Sequence, residues 1–366
     1  MRIGIITFHA AHNYGSMLQA YALKTFLTCG QNTAEIINYR TENQKDIYAV
    51  FTKRKGFRFL LKNMFACTCY KALSSKYNLF ENFLVNELGC ADEVHLASEV
   101  NSLAFDIVVA GSDQIWNINT NDFEWLYFLE GVYAKKCAYA VSCGPGNVEI
   151  TDKQRIANNL AKFSDISVRD YSTKYFVEQN SAKIATEVCD PVILLKKQEW
   201  KKLYQNVNIK KLPKKYIFFY TLSCDKRMIK IVKRISKEMG MPIVISQITN
   251  QYDMLLDAHR MLDCGPKEFL YLIDNASIVI TSSYHAMLFS LVFNKLFYVI
   301  AGTKDNRKKD ILKKYNIEAQ SVDETIDVDL VKKQFYSENI DFSNVVHDLR
   351  DKGIRFIGEK ILNGNM

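Results

Sequence analysis

Four short polar segments contain the residue types that acid–base chemistry and anion binding require. Each follows a run of apolar residues that predicts a buried strand. The segments are Asn13-Tyr14-Gly15-Ser16, Ser112-Asp113-Gln114, Arg169-Asp170 and Ser282-Ser283-Tyr284-His285. Open α/β sheets bind ligands at the carboxyl ends of their strands, so we expect these segments to lie at functional sites.

Two residues of these segments are candidate acid–base groups. Asp113 follows an apolar run, and a carboxylate held at a strand end can accept a proton from a hydroxyl group. His285 lies in a polar turn before an apolar helix, and near neutral pH it can donate a proton or bind an anion. A structural role stays open for both, because aspartate is a favoured helix cap and a single histidine is often structural.

Anion binding is predicted at two arginines and at one helix start. The planar guanidinium groups of Arg169 and Arg307 match the shape of carboxylate and phosphate groups. Arg307 has lysines around it in the sequence, so a solvated basic face is an alternative. Gly15 precedes a predicted helix, whose first backbone amides can bind an anion. A helix cap with a tight turn explains Asn13 to Ser16 equally well.

Strand and helix patterns alternate along the chain and would position these segments. Strands are predicted at residues 2–8, 34–38, 106–110, 137–141, 165–169, 216–222, 242–246 and 277–281, and a strand with its turn is predicted at 188–191. Helical patterns separate most of these strands, which is typical of doubly wound parallel sheets. The sequence therefore predicts an α/β protein with two Rossmann-like domains.

The length of 366 residues also favours two domains, because a single hydrophobic core seldom grows that large. We expect an N-terminal domain at 1–192 with a helical insertion at about 51–85. A C-terminal domain is expected at 193–366, with its last helix packing back on the N-terminal domain. Pro191 marks the predicted boundary, because proline removes a backbone donor.

Composition narrows the class of protein. The net charge of +8 is small for this length and no nucleic-acid motif is present, which argues against nucleic-acid binding. The nine cysteines include no CxxC pair, and no apolar run reaches the roughly 20 residues of a membrane span. These features predict a cytoplasmic protein with reduced thiols and no metal site.

One segment stands out by its charge. Residues 51–79 contain no Asp or Glu, whereas seven basic residues alternate there with aromatic and aliphatic ones: Lys53, Arg54, Lys55, Arg58, Lys62, Lys71 and Lys76. A basic amphipathic segment of this kind can lie on an anionic membrane surface. A pair of surface helices with solvated lysines is the alternative.

Several motifs resemble those of the polysaccharide pyruvyltransferase family. The matching segments are residues 3–8, 13–23, 36–40, 105–117, 167–170, 190–192, 265–269 and 281–285, and the likeness extends to about residue 315. The resemblance implies a two-lobed, GT-B-like architecture with phosphoenolpyruvate bound between the lobes. It also implies a sugar acceptor from a surface polysaccharide, either polymeric or linked to a polyprenyl diphosphate at the inner face of the plasma membrane.

The resemblance also implies site roles. Asp113 and His285 are expected to be catalytic, with donor contacts from Arg169, Arg307, Ser282, Ser283 and Tyr284. Acceptor contacts are expected in the N-terminal domain, from Asn13, Tyr14, Gly15, Ser112 and Gln114. Phosphoenolpyruvate is a co-substrate, and no metal or other cofactor is expected.

One residue departs from the family pattern. Many members have arginine two positions before the histidine, where this chain has Ser283. A nucleotide-sugar glycosyltransferase of the same fold is therefore one alternative function. A non-catalytic member of a polysaccharide-assembly complex is another.

Overall fold

The computed structural model describes residues 1–144, 152–300, 306–337 and 340–362. The chain forms two compact units. The first unit comprises residues 1–195 together with residues from 348 onward, and the second comprises residues 196–347. Each unit contains one six-stranded parallel sheet.

The sheet of the first unit is built from strands β1 to β6. Their bounds are β1 Arg2–Ile6, β2 Thr33–Ile36, β3 Ile107–Ala110, β4 Lys135–Val141, β5 Asp165–Val168 and β6 Thr186–Glu187. The strand order is β2-β1-β3-β4-β5-β6. Because the chain moves outward from β1 in both directions, the switch point of the sheet lies between β1 and β3, where such folds bind ligands.

Seven α-helices of the first unit connect or follow these strands. They are α1 Tyr14–Leu27, α2 Glu42–Tyr48, α3 Phe57–Thr68, α4 Tyr70–Asn86, α5 Ala97–Ser102, α6 Lys153–Leu160 and α7 Tyr171–Asn180. Short 3-10 turns occupy Trp125–Phe128 and Pro191–Ile193. Asp170 begins α7 by accepting a hydrogen bond from the backbone N–H of Thr173 at 2.8 Å.

The sheet of the second unit repeats this plan. Its strands are β7 Ile217–Tyr220, β8 Ile243–Ile245, β9 His259–Arg260, β10 Ile278–Thr281, β11 Phe297–Ile300 and β12 Ser321–Val322. The order is β12-β11-β10-β7-β8-β9, which puts the switch point between β7 and β10.

The helices from residue 196 onward complete the fold. They are α8 Lys197–Tyr204, α9 Lys226–Met239, α10 Gln251–Met254, α11 Pro266–Asn275, α12 Tyr284–Val292, α13 Asn306–Lys314, α14 Val328–Tyr336 and α15 Ser343–Phe356. A 3-10 turn at Glu318–Gln320 and a π-helical turn at Ile357–Ile361 are the remaining helical pieces in the described residues. None of the helices described here has the length and apolar character needed to cross a membrane.

The central strands are buried on both faces, which is why they are continuous apolar runs. Every residue of β3 and of β10 is buried. Parallel sheets require this composition because helices cover both of their faces. The predicted α/β class with two Rossmann-like domains is confirmed by the two sheets.

Of the strand and turn predicted at 188–191, the turn is present and the strand lies just earlier in the chain. The last strand of the first sheet ends at Glu187, and Pro191 opens a 3-10 turn. The Asp190 carboxylate accepts a hydrogen bond from the Val192 N–H at 3.1 Å, which caps this turn. The Val188 N–H still donates to the Val168 carbonyl oxygen at 2.9 Å, so pairing with β5 stops just before this turn.

Gly111, at the end of β3, gives a test of how the loop that follows is packed. It has φ +119°, and an added Cβ would lie 2.2 Å from the Tyr139 carbonyl oxygen. We expect Gly111→Ala to lower the free energy of unfolding by about 3 kcal/mol or more, because backbone strain and a backbone clash combine. Urea denaturation followed by circular dichroism measures this.

Gly240→Ala is the matched control. Gly240 also has a left-handed φ of +61°, but an added Cβ would meet nothing within 4 Å. We expect this variant to lose about 1 kcal/mol in the free energy of unfolding, because only the left-handed conformation is unfavourable for alanine there. Equal losses in the two variants would contradict the close packing at Gly111.

Candidate functional site

Arg169, at the carboxyl end of β5, lies between two aspartates. Its NH2 group donates to Asp113 Oδ1 at 3.0 Å and its NH1 group donates to Asp190 Oδ2 at 2.7 Å. The side chains of Arg169 and Asp190 are fully buried, and that of Asp113 is 8% exposed. Removing ions from water costs several kcal/mol per ion, so these charges depend on one another. We call Ser16, Asp113, Arg169 and Asp190 the Asp113 cluster.

The Asp113 carboxylate is fixed by donors on both oxygens. Ser16 Oγ donates to Oδ2 at 2.6 Å, and the Gln114 N–H donates to Oδ1 at 2.8 Å. The backbone of Asp113 has φ +75°, and its carbonyl oxygen accepts from the Ser142 N–H at 2.9 Å. Aspartate tolerates this left-handed conformation better than most residues. The result is a carboxylate held in one orientation beside the switch point of the first sheet.

A fully buried polar network holds the loop before Asp113. The Ser112 N–H donates to Gln19 Oε1 at 3.2 Å, and Ser112 Oγ donates to the Ala140 carbonyl at 2.7 Å. Thr7 Oγ1 donates to the Ser112 carbonyl at 2.8 Å. Ser112, Thr7 and Gln19 are all inaccessible to solvent. The structure thus gives Ser112 a supporting position, and its acceptor contact stays a prediction.

The other predicted acceptor residues lie around the start of α1 and after β3. Asn13 Oδ1 accepts from the Gly15 and Ser16 N–H groups, so the helix-cap interpretation of this segment is confirmed. Tyr14 and Gly15 are buried, whereas Asn13 and Gln114 are partly exposed. Acceptor binding by these residues stays a prediction.

A second polar cluster, not identified from the sequence, joins the loop after β1 to α4. Glu81 Oε1 is 2.7 Å from His12 Nε2, and Arg40 donates to both Glu81 oxygens at 2.7 and 2.9 Å. The His12 ring stacks on Phe80 at 5.0 Å and on Tyr48 at 5.8 Å. We call His12, Arg40 and Glu81 the Glu81 cluster, and it anchors α4 beside the start of α1.

The pairing changes the acidity of two groups in the Glu81 cluster. Burial tends to raise the pKa of Glu81, but the hydrogen bonds from His12 and Arg40 outweigh it and lower that pKa to about 2. Burial lowers the pKa of His12, although Glu81 partly opposes this. Both shifts make the cluster sensitive to acid.

In the second unit, the residues after β10 come together with the start of α13. The Arg307 guanidinium lies 4.8 Å from the Tyr284 ring centre, and the His285 ring meets the same tyrosine edge-on at 5.7 Å. Lys308 Nζ donates to the Ser282 carbonyl at 2.6 Å. We call Ser282, Tyr284, His285, Arg307 and Lys308 the His285 cluster.

Both cations of the His285 cluster are buried. Arg307 is 8% exposed and Lys308 is 3% exposed, which does not fit a solvated basic face at these two positions. Lys308 was not a predicted site residue, and only its position beside Arg307 in the sequence could have indicated it. His259 and His347, in contrast to His285, are exposed.

Ser283 has a defined structural role. Its hydroxyl oxygen accepts from the Ala286 N–H at 3.4 Å and caps α12, and its own N–H donates to Thr281 Oγ1 at 2.9 Å. Serine is among the preferred residues at this position of a helix. The positive end of the α12 dipole therefore lies at His285, close to the two cations.

The structure brings the predicted site residues together within each unit. Asp113 and Arg169 share the Asp113 cluster, while Ser282, Tyr284, His285 and Arg307 share the His285 cluster. The predicted contact of Arg169 with a donor stays a prediction, since both terminal nitrogens contact aspartates here. Within the described residues, no three or more His, Cys, Asp or Glu side chains gather as a metal site would require.

The chain has two doubly wound domains, and each has a polar cluster beside the switch point of its sheet. These features define a protein of the GT-B-like fold class. Solved structures agree. UDP-GlcNAc 2-epimerase from Methanocaldococcus jannaschii has a TM-score of 0.54 at 12% identity, covering 99% of both chains. The Neisseria meningitidis epimerase bound to UDP-GlcNAc has a TM-score of 0.52 at 10% identity, covering 99% of this chain and 100% of the other. At such identity the likeness shows the fold alone.

The family is shown by sequence. The family model described as polysaccharide pyruvyl transferase matches residues 13–303, which include every residue of the Asp113 cluster and the residues of the His285 cluster up to Tyr284 and His285. The chain belongs to the polysaccharide pyruvyl transferase family. No curated protein sequence matches the chain.

Removing Arg169 tests the interdependence of the buried charges. We expect Arg169→Met to lower the free energy of unfolding by about 3–5 kcal/mol, because two buried carboxylates would lose their partner. Lys352→Met is the control, since Lys352 pairs with Asp348 at 2.6 Å with both side chains more than two-fifths exposed. That change should cost less than about 1 kcal/mol. Similar urea midpoints for the two variants would contradict the role of Arg169.

The Glu81 cluster predicts acid lability. Because the folded pKa of Glu81 is about 2 and its ordinary value is 4.5, its contribution is complete above pH 4.5 and is lost as pH falls toward 2. The lowered pKa of His12 acts in the same direction below its ordinary value of 6.5. We expect the urea midpoint of Glu81→Gln to fall less steeply with pH across this window. Glu178→Gln, at an exposed position, should follow the unmodified protein.

Proposed function

We propose that the protein transfers the pyruvyl group of phosphoenolpyruvate to a sugar and forms a pyruvate ketal. The observation that carries this proposal is the pair of buried cations, Arg307 and Lys308, beside His285 in a chain of this family. A donor with one carboxylate and one phosphate needs two such positive partners. A planar guanidinium and a compact ammonium suit these two groups.

The His285 cluster supplies further features that favour an anionic donor. His285 lies in the first turn of α12, where the helix dipole adds positive potential. Tyr284 contacts both Arg307 and His285, so its ring holds the two groups at fixed positions. Ser283 caps this helix, and the cations of α13 replace the arginine that many family members have at that position.

The reaction requires a proton donor and a proton acceptor. The methylene carbon of phosphoenolpyruvate gains a proton and becomes a methyl group, while two sugar hydroxyls form bonds to the adjacent carbon and phosphate leaves. One hydroxyl proton balances the new C–H bond, and the other leaves with phosphate. We assign proton donation to His285 and assign acceptance of a hydroxyl proton to Asp113. Arg307 and Lys308 stabilise the charge that develops on the departing phosphate.

The acceptor we propose is a sugar of a surface polysaccharide or of its polyprenyl-diphosphate-linked precursor. This acceptor places the enzyme in the cytoplasm at the inner face of the plasma membrane. The first unit is its acceptor-binding part, with the oriented carboxylate of Asp113 as the base.

Phosphate release from phosphoenolpyruvate tests this function. Purified protein is incubated with a panel of lipid-linked and synthetic galactosides and N-acetylhexosamines, and the products are examined by mass spectrometry for an added pyruvyl group. We expect acceptor-dependent release. His285→Ala and Asp113→Asn should each lower kcat on the order of a hundredfold, as loss of an acid or base does. Lys308→Met should raise the KM for phosphoenolpyruvate about tenfold, through loss of a charged hydrogen bond.

Two exposed residues provide matched controls. His259→Ala and Lys309→Met remove the same side-chain types at exposed positions and should leave both constants unchanged. If no acceptor reacts, calorimetry measures whether the protein binds phosphoenolpyruvate or a nucleotide sugar. Binding of a nucleotide sugar without phosphoenolpyruvate would overturn the proposal and favour glycosyl transfer, and binding of neither would favour a non-catalytic member.

A further inference from the structure

Helix α3 turns its apolar side chains toward solvent. Phe57, Leu60, Leu61 and Met64 are 75%, 56%, 49% and 58% exposed. Their spacing of i, i+3, i+4 and i+7 puts them on one face of the helix. A surface helix of a globular protein normally directs such a stripe into the core. Here the stripe is outside, which marks it as an interaction surface.

Polar and small residues hold the opposite side of α3. The Thr52 N–H donates to Asn63 Oδ1 at 3.0 Å, and Asn63 Nδ2 donates to the Thr52 carbonyl at 3.1 Å. Ala66 is buried. Lys62 Nζ reaches the Ile47 carbonyl at 3.3 Å. These contacts fix the rotation of the helix, so the outward direction of the apolar stripe is set by the fold.

The charged residues within the segment that carries this stripe are all basic, and Asp46 of α2 pairs with one of them, Arg54, at 3.2 Å. No acidic residue occurs from Phe51 to Phe80, and Lys53, Lys55 and Lys71 are exposed on either side of α3 in the sequence. Phe51 and Tyr70, 42% and 53% exposed, stack on each other at 5.8 Å in the same region. Exposed aromatic and aliphatic groups with flanking lysines match a lipid surface with anionic headgroups.

Helix α4 connects this surface to the residues at the start of α1. Glu81 of α4 pairs with His12 and Arg40 in the Glu81 cluster. Lys76, five residues earlier in α4, lies 4.9 Å from the ring centre of Tyr14. Ser16 in the same helix start donates to Asp113. Helix α4 therefore links the exposed stripe to the residues of the first unit that orient Asp113, the candidate base.

We propose that α3 is an interfacial helix that docks the enzyme on an anionic bilayer. Phe57, Leu60, Leu61 and Met64 enter the headgroup layer, and Lys53, Lys55 and Lys71 contact lipid phosphates. The use that we assign to this surface is to present a lipid-linked acceptor to the first unit, and that use rests on the proposed function. The binding of α3 to the bilayer does not rest on it.

Sedimentation with lipid vesicles tests the surface. The full-length protein is mixed with vesicles of phosphatidylcholine, or of phosphatidylcholine with phosphatidylglycerol, without donor or acceptor. We expect binding to the anionic vesicles that weakens as salt is added. The double variant Leu60→Gln/Met64→Gln should lower the partition coefficient about tenfold or more. Lys53→Gln/Lys55→Gln/Lys71→Gln should remove the preference for anionic lipid.

Matched variants separate this surface from general effects. Met254→Gln/Leu255→Gln changes another exposed methionine and leucine, 53% and 68% exposed, and should bind as the unmodified protein does. Lys210→Gln/Lys214→Gln/Lys215→Gln does the same for exposed lysines elsewhere. Equal losses in the matched sets, or no binding to anionic vesicles, would overturn the proposal. A dimer in analytical ultracentrifugation that Leu60→Gln/Met64→Gln dissociates, without vesicle binding, would assign the stripe to a second copy of the chain.

Activity distinguishes the two proposals. With a water-soluble acceptor, the α3 variants should transfer pyruvyl groups at the unmodified rate, because none of these residues belongs to the Asp113 or His285 cluster. With an acceptor embedded in anionic vesicles, their rate should fall in parallel with binding. Vesicle binding without any pyruvyl transfer would leave the surface standing and remove the proposed function. Pyruvyl transfer without vesicle binding would support the proposed function and overturn the proposal that α3 is an interfacial helix.

Discussion

The buried arginine between two carboxylates is the interaction on which the first unit depends. Arg169 cannot be solvated where it lies, and neither can Asp190, so each charge is tolerable only because the other is present. The same arginine orients Asp113, which the loop after β3 supplies. Through Ser16 the network also reaches α1. The network around this guanidinium group thereby connects four separate parts of the chain. They are the start of α1, the loop after β3, the end of β5 and the turn at Asp190.

The buried cations of the Asp113 cluster and of the His285 cluster make different contacts. In the first unit, the Arg169 guanidinium is matched by aspartates of the same domain, which makes a closed and self-supporting network. In the second unit, the Lys308 ammonium contacts a backbone carbonyl and the Arg307 guanidinium contacts an aromatic face. The first arrangement orients the Asp113 carboxylate.

The sequence predicted those features that local composition determines. Buried parallel strands are apolar runs, and polar residues directly after them, such as Asp113 and His285, mark the carboxyl ends of the sheets. Pairing between distant side chains has no such signal. Asp190 as a partner of Arg169, and Glu81 as a partner of His12, depend on which loops meet after folding. Likewise, the spacing in α3 showed an apolar face but could not show that this face points outward.

The order of the units along the chain has a consequence for biosynthesis. Arg350 donates to the carbonyl groups of Ile193 and Leu195, and Phe356 and Ile357 are buried, so the first unit incorporates residues that are made after the second unit. A ribosome adding about 5–20 residues per second needs roughly 8–30 s to make the intervening second unit. During that interval the nascent first unit exposes the apolar surface that these residues later cover. Chaperone dependence should therefore peak after the first sheet has emerged, and should end when residues 348–362 leave the exit tunnel.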